Sequence, residues 1–209
     1  MKKSTLLAGL WVLALGSTAQ VNDRGTVHLA IGIAGGGHAT RYQQTILGVV
    51  RTTNDGAATA AIPIEVGYGL GNRFSLGLLL EPGVYLDSTE TESNALTTFA
   101  IQPRFHLING DRFTWMISAQ LGSTRLKYDV DEPGNVSRAI YRGGYFGLSS
   151  GVGFYFTDHL GLALQLRYMA TSMPLREWSV NGTSLDPDLI DAELSTSGVA
   201  LQASLAFKF

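Results

Sequence analysis

Residues 198–209, GVALQASLAFKF, alternate without a break. Val199, Leu201, Ala203, Leu205, Phe207 and Phe209 fall on one side of an extended chain; Ala200, Gln202, Ser204, Ala206 and Lys208 fall on the other. Successive side chains of a strand point to opposite faces, so strict period two marks a β-strand between two different surroundings. The pattern recurs along the chain. It starts with Val27, Leu29, Ile31 and Ile33 against His28, Ala30, Gly32 and Ala34, then Ile62 to Leu70 and Phe74 to Val84 at even positions. It continues with Phe99, Ile101, Phe105 and Leu107, with Phe113 to Leu121 and Phe146 to Phe156, and with Leu160 to Tyr168. Eight strands result, joined by connections that alternate long and short. Gly71-Asn72-Arg73, Asn109-Gly110-Asp111 and Thr157-Asp158-His159 are the tight turns. Residues 36–56, 87–95, 131–134 and 173–197 read as polar loops. Pro82 interrupts a strand and predicts a bulge or irregularity there.

The composition of the two faces decides the solvent. One face is large and apolar, and the other is mostly Gly, Ala, Ser and Gln with isolated charges. Charged residues make up 15% of the chain and there are 25 glycines, whereas a soluble domain carries about a quarter charged residues. The small face is too uncharged to be a solvated exterior and suits the inside of a narrow barrel. The apolar face then meets lipid, where every backbone group must be paired internally and a spanning sheet must close on itself. The expected fold is all-β, a closed antiparallel eight-stranded up-and-down transmembrane β-barrel. With both termini in the periplasm, all four long connections lie outside the cell and the short turns inside, as outer-membrane barrels require. Phe74, Phe113, Phe156, Phe207 and Phe209 predict one aromatic girdle; Tyr85, Phe99, Phe146 and Tyr168 predict the other.

Lys2 and Lys3 precede an apolar run, Leu6 to Leu15, and Ser17-Thr18-Ala19 offers small residues for a signal peptidase. Residues 1–19 are therefore expected to be a signal peptide and residues 20–209 the barrel. The run is shorter than the ~20 residues a spanning helix needs. The net charge of −2 gives no support for nucleic-acid binding. The absence of cysteine excludes disulfides, thiolate metal sites and lipidation on cysteine.

This pattern resembles the small eight-stranded bacterial outer-membrane barrels, the OmpA-type transmembrane domain and its OmpX- and OmpW-like relatives. The resemblance covers the chain after residue 19 and is one of pattern. It implies that Leu205, Phe207 and Phe209 form the signal read by the barrel-assembly machinery. It does not imply peptidoglycan anchoring, because no peptidoglycan-binding segment follows the barrel.

Candidate chemistry is sparse. Glu65, Glu81, Arg104 and Arg167 face the lumen, with Gln102, Gln120, Gln165 and Gln202 at the same level; charges there must pair. They predict a polar plug, the alternative being a gated ion path. Arg125 and Lys127, with Arg138 and Arg142 on the next strand, face outward above the outer interface, a pattern suited to lipopolysaccharide phosphates. Asp186, Asp188, Asp191 and Glu193 do not match the calcium-loop spacing. His28 and His106 read as lumen filler, with no histidine beside a serine in a catalytic arrangement, and Gly35-Gly36-Gly37 lacks the Lys-Ser/Thr of a phosphate loop. No catalytic residue, metal or cofactor is expected. The expectation is a monomeric, non-enzymatic outer-membrane protein, in contact with outer-membrane lipid and lipopolysaccharide, with a structural or surface-binding role through its outer loops. The alternatives are a narrow conduit for small or apolar solutes and, third, a lipid A-modifying enzyme.

Overall fold

A computed structural model describes residues 20–46, 48–87, 93–132, 135–187 and 190–209; the expected signal peptide lies outside them. The described residues form ten antiparallel strands: β1 (Val27–Ile46), β2 (Val49–Ala61), β3 (Ile64–Gly71), β4 (Phe74–Asp87), β5 (Ser93–Asn109), β6 (Phe113–Glu132), β7 (Asn135–Tyr155), β8 (Leu160–Val180), β9 (Thr183–Leu185) and β10 (Asp191–Lys208). β2 and β3 are two parts of one stave, both lying between β1 and β4. β9 is a short addition to β8. Eight staves therefore follow one another in chain order, and β10 pairs with both β8 and β1, closing the ring. The final alternating strand is the closing stave. Its end is joined to the first strand by Val27 N–H to Phe209 O (2.9 Å) and Phe209 N–H to Val27 O (3.0 Å).

The period-two face division holds around the ring. Ile33 is 71% exposed and Leu166 59%, whereas Gln102, Gln120 and Gln202 are fully buried. An all-round apolar exterior on a closed sheet is the arrangement that lipid stabilises. Phe74, Phe113, Phe156 and Phe209 stand exposed at the short-turn end, and Phe99, Phe146 and Tyr168 at the other. Tyr85 does not join them. It shares the odd, inward positions of β4, is 2% exposed, and its hydroxyl hydrogen-bonds Thr40 Oγ1 at 2.9 Å.

Two of the expected loops are largely strand. Residues 36–46 and 49–56 continue the β1–β2 ladder, and most of residues 173–197 belongs to β8, β9 and β10. Above the lipid both faces tolerate polar residues, so these extensions lack the hydropathy alternation that marks a half-lipid strand. Asn181 and Gly182 turn β8 into β9 with φ of 50° and 78°, the two left-handed residues of a tight hairpin turn.

The irregularity expected at Pro82 is displaced onto its neighbour. β4 runs unbroken through Pro82, which pairs in register with Thr97. The break falls between Ala61 and Ile64 on the adjoining stave, where Ile62 N–H still donates to Pro82 O at 2.8 Å. Pro63 and Pro82 both lack an N–H, which interrupts the hydrogen-bond ladder there while the register continues unchanged and Gly32 N–H still donates to Pro63 O at 3.0 Å.

The segment before β1 folds into the short-turn mouth. Val21 and Asn22 are 1% and 0% exposed. Val21 N–H donates to Gly110 O at 2.9 Å and packs with Tyr155, Ala163 and Ala206. Asn22 donates from its backbone to Asn109 Oδ1 (2.9 Å) and from its amide to Gly71 O (2.6 Å), and accepts from His28 Nε2 (2.9 Å) and from Asn109 Nδ2 at its carbonyl (2.6 Å). Val21 and Asn22 thus form a seal, while Asp23, Arg24 and Gly25 stay exposed. Asn22→Ala removes the side-chain bonds and leaves Gly71 O and His28 short of a partner inside the barrel, an expected cost of about 1–3 kcal/mol. The heat-modifiability midpoint of the purified protein should fall accordingly. An unchanged midpoint would mean the segment contributes nothing to stability.

Candidate functional site: the lumen and the outer rim

The lumen is filled in three levels. At the short-turn end, above the Asn22 seal, His28 and His106 stack at 6.2 Å between ring centres. His106 lies 3.2 Å from Ser75 Oγ through Nε2 and 2.9 Å from Thr114 Oγ1 through Nδ1. The sequence gives no sign of a serine–histidine contact here, because register across the β4–β5 ladder creates it. A hydrolytic dyad needs a carboxylate or similar group behind the histidine and a path for substrate. Here Thr114 takes that place and Ser75 is 1% exposed, so the contact is a buried hydrogen bond.

The middle level carries the charges. Glu65 pairs with Arg104, and Arg104 Nη2 also donates to Gln102 Oε1 at 2.7 Å. Gln202 Nε2 donates to the other Glu65 oxygen at 2.8 Å, and Gln165 approaches the same oxygen at 3.5 Å. Gln102 Nε2 donates to Ser118 Oγ at 3.1 Å. Glu65 therefore gathers groups from β5, β8 and β10, across the barrel from one wall to another. One level up, Arg167 Nη2 lies 2.6 Å from Glu81 Oε2, close enough for an ion pair but off hydrogen-bond geometry. Gln120 accepts from the Tyr145 hydroxyl at 2.7 Å. Arg167 Nε and Nη1 and Arg104 Nε have no protein partner among the described residues, so the Glu65 cluster is the better satisfied of the two.

The outer level is apolar. Tyr85, Leu126, Tyr141, Met173 and Leu194 form a buried cluster, with Tyr42, Leu96 and Tyr128 packed against it. Leu79, Ala100, Tyr145, Met169 and Ala200 connect it to the charged level. The small face reads as Gly, Ala, Ser and Gln with isolated charges and does not predict this cap. The apolar cap escapes a linear reading because Met173 and Leu194 fall in a stretch that reads as loop and Tyr85 reads as an interfacial aromatic.

On the outside of the rim, the β6–β7 register sets Arg125 directly opposite Arg142 and Asp129 opposite Arg138. Asp129 takes up two of the four cations: Arg138 Nε donates to Asp129 Oδ1 at 2.7 Å, and Lys127 pairs with its other oxygen. Slight burial pushes the Asp129 carboxyl up, but the hydrogen bonds from Lys127 and Arg138 outweigh it and hold the group below the ordinary carboxylate range. Of the acidic residues 186–193, Asp188 lies outside the described residues, and Glu193 accepts from Ser172 Oγ (2.6 Å) and Ser195 Oγ (3.2 Å). No group of three potential metal ligands forms among the described residues. Leu205 and Phe207 lie in the β10–β1 ladder, and Phe209 stacks on His159 at 6.0 Å.

No protein-family model matches the chain, and no curated protein matches it in sequence. Solved structures do share its fold. The crystal structure of the outer membrane protein OprG from Pseudomonas aeruginosa aligns with a TM-score of 0.61 at 11% identity, over 90% of this chain and 97% of that one. The solid-state NMR structure of the outer membrane protein AlkL in lipid bilayers aligns with a TM-score of 0.55 at 9% identity, over 93% and 94%. The fold is that of the small outer-membrane β-barrels. A closed barrel with an apolar belt and extended hairpins at one end is an integral outer-membrane protein by its physical construction.

Proposed function

We propose that this barrel is closed to axial flow and works through its outer hairpins, as a structural and surface-binding protein. One observation carries the reading: the Glu65–Arg104 and Glu81–Arg167 pairs and their glutamine collar span the lumen, and the voids below and above them hold about 30 Å³ each. That is room for about one water, and eight staves leave an interior just wide enough for side chains. The outer hairpins are the parts free to meet a partner, and function in such folds lives in grafted surfaces of this kind. Reconstituted in planar bilayers, the protein is expected to give no steady ion conductance. A stable open channel would overturn the plug.

A second reading, a lateral conduit for apolar solutes, draws on the weakened hydrogen-bond ladder at Pro63 and Pro82. On the lipid side a groove lined by Ile33, Gly35, Ile62, Pro82, Val84 and Leu201 lies over it. The apolar cluster of Tyr85, Leu126, Met173 and Leu194 lies inside the outer end of the same barrel. Uptake of a fluorescent fatty acid into proteoliposomes, without accompanying ion flow, separates this reading from the first.

A further inference from the structure

Cross-strand neighbours with like charge repel when directly opposed, and Arg125 and Arg142 are such neighbours. Both are exposed. Neither forms an ion pair among the described residues, in contrast with Lys127 and Arg138, which converge on Asp129. The pair stands at the edge of the lipid belt. Two pairs below it in register, Leu121 opposes Phe146, and these are 57% and 40% exposed. The pair between is Ser123 and Gly144, and on the next stave Ser172 stands beside Gly144 and Ala170 beside Phe146. The small residues leave a depression in the wall, lined by Leu121, Gly144, Phe146, Ala170 and Ser172. A Cβ placed on Gly144 would meet nothing within 4 Å, so the surface is open there.

We propose that this is a seat for one phosphorylated glycolipid of the outer leaflet, its phosphate between the Arg125 and Arg142 guanidiniums and an acyl chain along Gly144. An anion between the two cations relieves their repulsion and gives each guanidinium a partner with matching fork geometry. The apolar depression on the membrane side of the charges selects an amphiphile over a free anion, since a chain lying there covers exposed apolar wall. Glu193, one stave beyond β8, is held by the Ser172 and Ser195 hydroxyls and forms no ion pair with either arginine. The inference rests on the outer-membrane reading and deepens its surface-binding part by naming the ligand chemistry.

The test is native mass spectrometry of the folded protein released from micelles supplied with bis-phosphorylated lipid A or with its dephosphorylated form. The wild-type protein is expected to retain the phosphorylated form preferentially. The Arg125→Gln/Arg142→Gln variant is expected to lose that retention by about tenfold or more. The Arg24→Gln/Arg73→Gln variant, with the same change of net charge at the opposite end, is expected to keep it. Gly144→Leu leaves both charges and fills the depression; it should lower retention of the acylated lipid severalfold. Equal retention by the wild type and the Arg125/Arg142 variant, or equal retention of the dephosphorylated lipid, overturns the site. Displacement of the lipid by millimolar inorganic phosphate makes it a simple anion site and overturns the lipid assignment. The comparison of the two lipids on the wild type decides the matter even where the double variant fails to fold. Vesicle insertion, measured in parallel, keeps the two levels apart: a wild-type protein that does not insert contradicts the membrane reading, whereas one that inserts without lipid preference contradicts this site alone.

Discussion

Glu65→Ala is expected to lower the stability of the barrel by about 3–5 kcal/mol, the usual cost of removing one partner of a buried ion pair. Glu65 is 2% exposed and Arg104 6%. The substitution strands a charged guanidinium in the lumen and removes the acceptor of Gln202 at 2.8 Å. Most of the loss is the uncompensated charge, so removing both charges should be far milder. Glu65→Met/Arg104→Met is expected to recover most of the single variant's deficit. Urea unfolding in lipid vesicles, followed by tryptophan fluorescence, measures both. A single-variant loss below about 1 kcal/mol would place the pair in the range of solvated surface ion pairs, and the lumen would then be wet rather than plugged. The Arg167–Glu81 pair should be less costly to dismantle as a pair, because Arg167 Nε and Nη1 have no hydrogen-bond partner among the described residues.

Deletion of Phe209 is expected to reduce the amount of correctly assembled barrel several-fold while leaving outer-hairpin binding intact in the molecules that do fold. Val27 and Phe209 exchange two backbone hydrogen bonds at the seam where the last stave meets the first. Losing them costs about 1–3 kcal/mol, and a deficit of that size changes cellular abundance several-fold. Val27 N–H and C=O, at the start of β1, would be left without their backbone partners at the seam. The ring stack on His159 is lost with the same residue. Leu205, Phe207 and Phe209 as a recognition signal for the assembly machinery would add to the effect. The readout is the heat-modifiable band in cell envelopes against total protein. A normal folded fraction in the deletion would count against both roles. Phe209→Tyr keeps the backbone seam and the aromatic ring, so its folded fraction should stay near wild type.

The placement of side chains on two faces was legible residue by residue, because lipid and lumen impose opposite chemistries on alternate positions. Gln102, Arg104, Gln165, Arg167 and Gln202 all lie on the small face in the sequence and in the lumen of the fold. Tyr85 shows how the same rule corrects a misreading: its odd position in β4 already demanded an inward side chain, against its apparent use as an interfacial aromatic. The outer hairpins were not legible. In β1, Thr40 is buried and Arg41 exposed, yet both are polar, so the inward and outward positions leave no hydropathy contrast. Nor was the seal visible, since Val21 and Asn22 carry no periodicity and acquire their role from Gly71, Asn109 and Gly110 in distant turns.

The sequence by itself determined that this chain forms an alternating, nearly uncharged sheet that must close in lipid, with its ends on the short-turn side. Those conclusions follow from local rules of strand geometry and backbone hydrogen bonding, which need no knowledge of partners. The tertiary structure alone decided which lumen charges meet, that Ser75 meets His106, that Arg125 stands against Arg142, and that Val21 and Asn22 seal the mouth. Each depends on the stagger between staves and on closure of the ring. A shift of the stagger by two residues would preserve every inward and outward side chain while changing every pair.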